Sequence, residues 1–307
     1  MEFSVDEIRG DYYMDVREFP GGSIEVVVKT IRPMQEGVIR STADPDSYSN
    51  HLKSIGASYF DVNGSGLKQV QSDDQNGVDR SKENHYRAVR RAKQNIRWLV
   101  KQIEGDRLLT LTYRRNMEDR EQVKADFKRF LRLVRGGWKG QQGETDWKYV
   151  AVIEQQERGA YHIHCAVKGW QRVSFLRACW YKALGGQGNE TGEGTPGQID
   201  VTSPRKCRWG TQLREWKTSK LAAYLTKYLA KTFDEGNDEK KRYWHSKDSK
   251  TPAKQRFMLC AVDILGAIQE AQSIIGLHYG HAINFSRSWM SRFNDSLWLS
   301  LGEGGVA

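Results

Sequence analysis

Ser219-Lys-Leu-Ala-Ala-Tyr-Leu-Thr-Lys-Tyr-Leu-Ala-Lys231 is the stretch from which the fold is best predicted. It contains no Pro or Gly and is rich in Leu, Ala and Lys, so it predicts a helix that Thr218 or Ser219 can cap. We call it the tyrosine helix. Each helical residue turns the side chain by about 100°, which separates a polar face from an adjoining apolar face. The polar face carries Tyr224, Lys227, Tyr228 and Lys231, and the apolar face carries Leu221, Ala222, Leu225 and Leu229.

The polar face of the tyrosine helix has two interpretations. In the first, two phenols, each with an ammonium group three residues later, form a functional surface. In the second, the tyrosines lie at the edge of the core and the lysines keep the helix in water. Lys does not suit a core-facing surface and paired Tyr does not suit a solvated one. The stretch therefore needs a partner elsewhere in the chain to decide between them.

The composition favours a polyanionic partner in a reducing compartment. The 307 residues carry a formal charge of +10, with ten Trp and thirteen Tyr whose rings can stack on bases. The N-terminal residues lack the pattern of a signal peptide, and the longest early apolar run is too short to span a bilayer. The four cysteines show no Cys-x-x-Cys spacing, and no phosphate-binding loop predicts an ATPase. We therefore expect a cytoplasmic protein that contacts nucleic acid and no membrane.

A strongly basic helix is predicted over residues 80–101. Apolar residues recur there at three- and four-residue spacing, and eight cations face one acid, Glu83. The charged face either contacts phosphates or is simply solvated. Like charges with almost no countercharge favour phosphate contact. The candidate DNA-binding residues are Arg87, Arg90, Arg91 and Arg97 on this helix, and Arg205, Lys206 and Arg208 before the tyrosine helix.

Three short stretches rich in apolar and Thr residues predict strands, at 107–113, 147–154 and 161–167. The last two are close enough in sequence to form a hairpin, and a helix with an apolar stripe lies between the first two. We therefore predict an α+β fold with a mostly antiparallel central sheet flanked by helices, and with the tyrosine helix packed against that sheet.

The predicted organisation has three parts. Residues 1–79 form an N-terminal extension that is partly loop, with a candidate strand at 25–29. Residues 80–235 form the main domain, including the basic helix. Residues 236–307 form a C-terminal helical extension, because 257–275 is apolar enough for a packed helix.

A candidate metal site lies on the strand 161–167. Strand alternation sends His162 and His164 to one face and Cys165 to the other. Glu154 ends the partner strand, and a short turn could bring its carboxylate near the two imidazoles. Two His and one carboxylate suit a divalent ion such as Mg²⁺ or Mn²⁺ bound together with a substrate phosphate. Alternatively, the two histidines are exposed or lie at the edge of the core.

Three of these signals occur in a fixed order along the chain. The strand Leu108-Leu-Thr-Leu-Thr-Tyr113, the strand Tyr161-His-Ile-His-Cys-Ala-Val167 and the helix Tyr224-Leu-Thr-Lys-Tyr-Leu-Ala-Lys231 follow one another. This order resembles the three motifs of the HUH endonucleases that initiate rolling-circle replication. The doubled Tyr and Lys are most similar to the two-tyrosine initiators of small single-stranded DNA phages, filamentous phages in particular. The resemblance covers roughly residues 105–235 and implies an RRM- or ferredoxin-like nuclease fold.

The resemblance also implies a mechanism. A divalent ion on the His pair and the acidic residue polarises the scissile phosphate. Tyr224 or Tyr228 attacks, leaving a 5′-phosphotyrosine bond and a free 3′-OH that primes synthesis. Lys227 and Lys231 favour the phenolate and offset phosphate charge. Two tyrosines one turn apart permit two successive strand transfers.

The expected partners are single-stranded or supercoiled origin DNA and the helicase and polymerase of a bacterial host. A two-tyrosine transposase or a relaxase would use the same chemistry, although relaxases usually carry a third His in the metal motif. A nucleic-acid-binding protein without catalysis would use only the basic helices and aromatic rings. Such a protein should bind DNA equally well in the presence of a chelator.

Overall fold

The computed structural model describes residues 10–31, 78–137, 147–169, 172–202, 218–234, 243–283, 285–291 and 296–302; for helix residues 78–83 and 230–234 it describes the backbone alone. The described helices are α1 (Val78–Gln102), α2 (Arg120–Gly136), α3 (Val173–Ala183), α4 (Thr218–Asp234) and α5 (Ile264–Tyr279). The described strands are β1 (Tyr12–Glu18), β2 (Ile24–Thr30), β3 (Arg107–Tyr113), β4 (Tyr149–Gln155), β5 (Tyr161–Val167), β6 (Gly197–Thr202), β7 (Tyr243–His245), β8 (Gln255–Leu259), β9 (Ser288–Met290) and β10 (Ser296–Leu301).

The described strands form two five-stranded antiparallel sheets, with the orders β8-β1-β2-β10-β9 and β6-β3-β5-β4-β7. The predicted α+β class with a mostly antiparallel sheet is confirmed. The basic helix and the tyrosine helix are also present, as α1 and α4.

The chain divides into two compact units, which differ from the three expected parts. One unit combines residues 1–72 with 252–307, and the other comprises residues 73–251. The physical reason is strand pairing over a long sequence separation. β8 pairs with β1, and β10 pairs with β2, so the two ends of the chain build one sheet.

The C-terminal segment carries strands where one helix was expected over 257–275, so this expectation was wrong for its first residues. Residues 255–259 form β8, in which Phe257 lies opposite Met14 of β1. The helix α5 begins only at Ile264, because the side chain of Asp263 accepts a hydrogen bond from the backbone N–H of Gly266 and caps it. A short apolar run is compatible with either element, and here pairing with β1 decides for the strand.

The central unit places β5 in the middle of its sheet, with helices on both faces. On one face, α2 and α3 bury a core that includes Leu109, Leu111, Phe130, Ile163 and Trp180. On the other face, α1 and α4 bury a second core that includes Ile96, Leu99, Leu108, Val152 and Leu225. The alternation along each strand therefore feeds both cores. The tyrosine helix belongs to the second face.

Candidate active site

The apolar face of α4 fixes the tyrosine helix against the sheet. Leu221, Ala222, Leu225 and Leu229 are at most 1% exposed and pack with apolar residues of α1, β4 and β5. This confirms the predicted apolar face. The turn of the helix then leaves Tyr224 37% exposed and Tyr228 half-buried.

The strand β5 carries both histidines to the face that α4 covers. His162 lies opposite Glu154 of β4, and His164 lies opposite Thr110 of β3. Cys165 points to the other face and belongs to the core beneath α2 and α3. The predicted alternation of β5 is therefore confirmed, as is its central place in the sheet.

His164 is held through both of its ring nitrogens. Its Nε2 lies 2.8 Å from Oε2 of Glu154, and its Nδ1 lies 3.3 Å from Oγ1 of Thr110. The side chains of His164 and Glu154 are 6% and 7% exposed, so this contact is buried. Buried hydrogen bonds of this kind fix the plane and the position of the ring.

His162 is held by the hairpin between β4 and β5. Its Nδ1 lies 3.1 Å from Nε2 of Gln156, whose Oε1 accepts a 3.0 Å hydrogen bond from Nε of Arg158. Burial, reinforced by His164 and Arg158 and partly opposed by Glu154, lowers the pKa of His162. A lowered pKa favours the neutral imidazole, which is the form that can ligate a cation.

Tyr228 stacks directly on His164. The two ring centroids are 3.8 Å apart, with an angle of 12° between the ring planes. The hydroxyl of Tyr228 donates a hydrogen bond to the hydroxyl of Tyr224, and the two tyrosine rings meet edge to face at 5.0 Å. Both tyrosines are thereby linked to the histidine face of the sheet.

The phenol of Tyr228 is harder to ionise than a free tyrosine. Burial raises its pKa well above the ordinary value, and the hydrogen bond and charge of Tyr224 and the charge of Glu154 raise it further. This residue therefore departs from the expectation that nearby cations favour its phenolate. A bound cation or a phosphate-bound environment would have to supply that stabilisation.

The donors on this face suit a divalent cation in kind, since two imidazoles and a carboxylate lie on neighbouring strands. Among the described residues, however, no three His, Cys, Asp or Glu side chains are grouped closely enough to hold a metal ion. Glu154 is instead bonded to His164, and His162 to Gln156. The residue types fit the predicted site, and a cation would have to open the hydrogen bond between Glu154 and His164.

The remaining predicted catalytic residues are only partly described. Lys227 is exposed on α4, one residue before Tyr228. Lys231 lies in the same helix, but its side chain is outside the described part of the structure. Arg205, Lys206 and Arg208 also lie outside the described residues, so their predicted role stays a prediction.

The basic residues of α1 lie on the helix that packs beside α4. Arg87, Arg90 and Arg91 are exposed and Arg97 is half-buried. Apolar residues of α1 join the same core as the tyrosine helix, which turns the cations outward. The arrangement gives a cationic surface on the neighbour of the tyrosine helix.

Three contact residues of the site were missed by sequence reasoning: Thr110, Gln156 and Arg158. The signal for Thr110 is present in the strand pattern of β3, whose even-numbered residues share a face. Its meaning depends on the register with β5, which the sequence does not state. Gln156 and Arg158 belong to the hairpin turn and were treated as turn residues only.

Comparison with known proteins gives one match. Residues 106–233, less than half of the chain, match a family model described as a replication-associated protein of the ORF2 type. The matched range runs from the start of β3 through β5 to the tyrosine helix. It supports a role as a replication initiator that acts on DNA. Neither the curated proteins nor the solved structures gave a match to the chain.

The described helices also bear on membrane association. None of them is long and apolar enough to cross a bilayer.

Proposed function

We propose that this protein initiates rolling-circle replication by nicking origin DNA at one site through a tyrosine nucleophile. The observation that carries the proposal is the stack of Tyr228 on His164, with Tyr224 bonded to Tyr228. It brings two phenols to the face that bears two imidazoles and a carboxylate. The match to a replication-associated family supports the same direction. The two-tyrosine HUH type and a phage or plasmid origin are parts of this proposal.

The bond changes are those of a transesterification. A tyrosine oxygen forms a bond to the scissile phosphorus, and the bond from phosphorus to the 3′-oxygen breaks. The phenol proton passes to solvent, and the departing 3′-oxygen takes one up. The strand then ends in a 3′-OH, and its 5′-phosphate is attached to the protein. Because the phosphodiester energy is kept in the new bond, rejoining needs no ATP.

Held by His162, His164 and Glu154, a divalent cation such as Mg²⁺ or Mn²⁺ would stabilise negative charge on the scissile phosphate. The protein's own contribution is positioning. The buried apolar face of α4 fixes the tyrosine hydroxyls, and the hydrogen bonds of His162 and His164 fix the imidazoles. Lys227 and Lys231 are proposed to offset phosphate charge.

The two tyrosines are proposed to act in order, with Tyr224 first. Tyr224 is the more exposed phenol, and its oxygen accepts a hydrogen bond from Tyr228. A hydrogen bond to an oxygen favours its anionic form. Tyr228 is half-buried on His164 and would be released to attack once that stack opens. A second attack would cut the regenerated origin and return the first strand end.

The DNA is proposed to cross the cationic surface of α1 as it enters the site. Arg87, Arg90 and Arg91 are exposed there, and phosphate contacts of this kind give affinity without reading sequence. Arg205, Lys206 and Arg208 are proposed to add phosphate contacts from the segment before α4. Loading of a host helicase and polymerase at the nick completes the proposed role.

The test uses the intact protein with overlapping single-stranded oligonucleotides that tile the replicon carrying its gene, together with Mn²⁺. The expected result is a covalent protein–DNA adduct on a denaturing gel at one position of the tiling. Tyr13→Phe is the matched control, because Tyr13 belongs to the other unit and its ring contact with Arg256 does not need the hydroxyl. This control should form the adduct normally.

Two results would refute the proposal. One is the absence of an adduct with every oligonucleotide of the tiling. The other is an adduct that survives replacement of both Tyr224 and Tyr228 by Phe. If DNA binding is strong but unaffected by chelator, and His162→Ala changes no activity, the protein is a nucleic-acid-binding protein without this chemistry. A single-tyrosine dependence that never produces rejoined product would refute the proposed second transfer alone.

A further inference from the structure

The hydroxyl of Thr110 occupies a position that affects how His164 can use its nitrogens. It contacts Nδ1, while Nε2 faces Glu154 across the strand pair. A carboxylate only accepts hydrogen bonds, so the Nε2 next to it carries a proton in the structure as described. A neutral imidazole has one N–H, and its Nδ1 must then accept the hydrogen bond that the Thr110 hydroxyl donates.

Binding a cation through Nε2 requires the opposite tautomer. The lone pair of Nε2 must be free, so the proton of a neutral ring must be on Nδ1. The position of Nδ1 is buried, and an N–H placed there without an acceptor would be costly. A threonine hydroxyl can rotate from donor to acceptor, which an apolar side chain of the same shape cannot do.

We propose that Thr110 is a positioning residue that lets His164 change tautomer when a cation is bound. The inference rests on the proposed function, in which His164 and Glu154 belong to one ligand set. On binding, the proton leaves Nε2 for solvent as its hydrogen bond to Glu154 opens. A proton from water is taken up at Nδ1, and the Thr110 hydroxyl turns to accept it. The charge of the imidazole is unchanged by this exchange.

His162 has a different neighbour and supports the assignment by contrast. Gln156 faces its Nδ1 through the amide nitrogen, and the amide oxygen is bonded to Arg158. An amide nitrogen is a donor only, so this contact holds Nδ1 as an acceptor unless the amide turns over. The hydroxyl of Thr110 changes role by rotating about one bond. The two histidines therefore differ in how readily they present Nε2 to a cation.

The experiment measures binding of Mn²⁺ alone to the full chain, without DNA, from the electron paramagnetic resonance signal of free Mn²⁺. Thr110→Val keeps the branched shape that suits a strand and removes the hydroxyl. It should weaken Mn²⁺ binding by about tenfold to a hundredfold, the usual effect of losing a partner of a metal ligand. Thr110→Ser keeps the hydroxyl and should bind nearly as the unmodified protein does. Thr202→Val, which removes the bond of a strand threonine to Asp200, is the matched control.

A nitrogen-15 spectrum with a diamagnetic ion, Zn²⁺, supplies the signature that a merely structural role would not produce. The expected spectrum shows a protonated Nδ1 of His164 and a ligating Nε2, in the unmodified protein and in Thr110→Ser. Equal Mn²⁺ affinity of Thr110→Val and the unmodified protein would overturn the inference, as would ligation through Nδ1. So would a Thr110→Ser variant as weak as Thr110→Val. If the unmodified protein binds no Mn²⁺, both the inference and the proposed metal fail. If Mn²⁺ binds but no DNA adduct forms, only the proposed function fails.

Discussion

Replacing Leu225 by Ala tests whether the apolar face of α4 positions the reactive tyrosines. Leu225 is 0% exposed and lies in the core shared by α1, α4 and the sheet. Truncating a fully buried Leu to Ala costs about 2–5 kcal/mol, from lost apolar burial and the cavity left behind. A domain is typically stable by about 5–15 kcal/mol, so the unit should stay folded. With a shift of about 2–4 °C per kcal/mol for a unit of this size, its Tm should fall by roughly 4–20 °C.

The same change should also slow adduct formation at a temperature where the variant is fully folded. The tyrosine hydroxyls lie on the face of α4 opposite to the new cavity, and small displacements of reacting groups are costly. A shift of about 1 Å can reduce a rate roughly a hundredfold. We expect a decrease of about tenfold or more, measured as initial adduct rate by denaturing electrophoresis alongside calorimetric Tm.

The matched control is Leu277→Ala, because Leu277 is a helical Leu that is 84% exposed. Its effect on the free energy of unfolding should stay within about 0.5 kcal/mol. The reasoning is refuted if Leu225→Ala lowers the Tm no more than the control does. It is also refuted if the variant is destabilised as expected yet forms the adduct at the normal rate.

Three further predictions concern charge and burial. Arg90→Gln should weaken single-stranded DNA binding and reduce the slope of log affinity against log salt by about 0.7, measured by fluorescence anisotropy; an unchanged slope would exclude a phosphate contact. Cys260 is exposed whereas Cys165 is buried with a raised pKa, so iodoacetamide should modify Cys260 in the native protein and Cys165 only after unfolding, as read by peptide mass spectrometry; early modification of Cys165 would contradict its burial. Burial raises the pKa of Asp15, but Arg256 and Lys254 lower it to a net value below the ordinary one. The carboxylate therefore stabilises the fold above the ordinary Asp pKa and loses that effect as the pH falls through the folded value. The stability difference between the unmodified protein and Asp15→Asn should thus be largest at neutral pH and shrink in acid, by up to about 1 kcal/mol; a difference that grows in acid would contradict the sign.

Much of the central unit was predictable because its signals are local. The tyrosine helix follows from residue spacing within thirteen positions, and its buried face was predicted residue by residue. The opposite faces of His164 and Cys165 follow from strand alternation alone. These patterns depend on neighbours in sequence, so no knowledge of tertiary contacts was needed.

The parts that were not predicted depend on pairing between distant segments. β8 lies in an apolar run that also suits a helix, and only its pairing with β1 near the other end of the chain makes it a strand. Thr110 gains its contact with His164 from the register of β3 against β5. The stack of Tyr228 on His164 also depends on how α4 crosses the sheet, which periodicity does not specify.

The central claim is that the tyrosine helix supplies the nucleophile that attacks DNA. The most direct measurement is mass spectrometry of the protein after reaction with origin DNA and Mn²⁺, followed by nuclease and protease digestion, to identify the residue that carries the nucleotide. A single round of cleavage should give a nucleotide linked to Tyr224, and a regenerated origin should add the same modification on Tyr228. A nucleotide found on any residue outside the tyrosine helix, or no modified peptide from a reaction that does cleave the DNA, would contradict the claim.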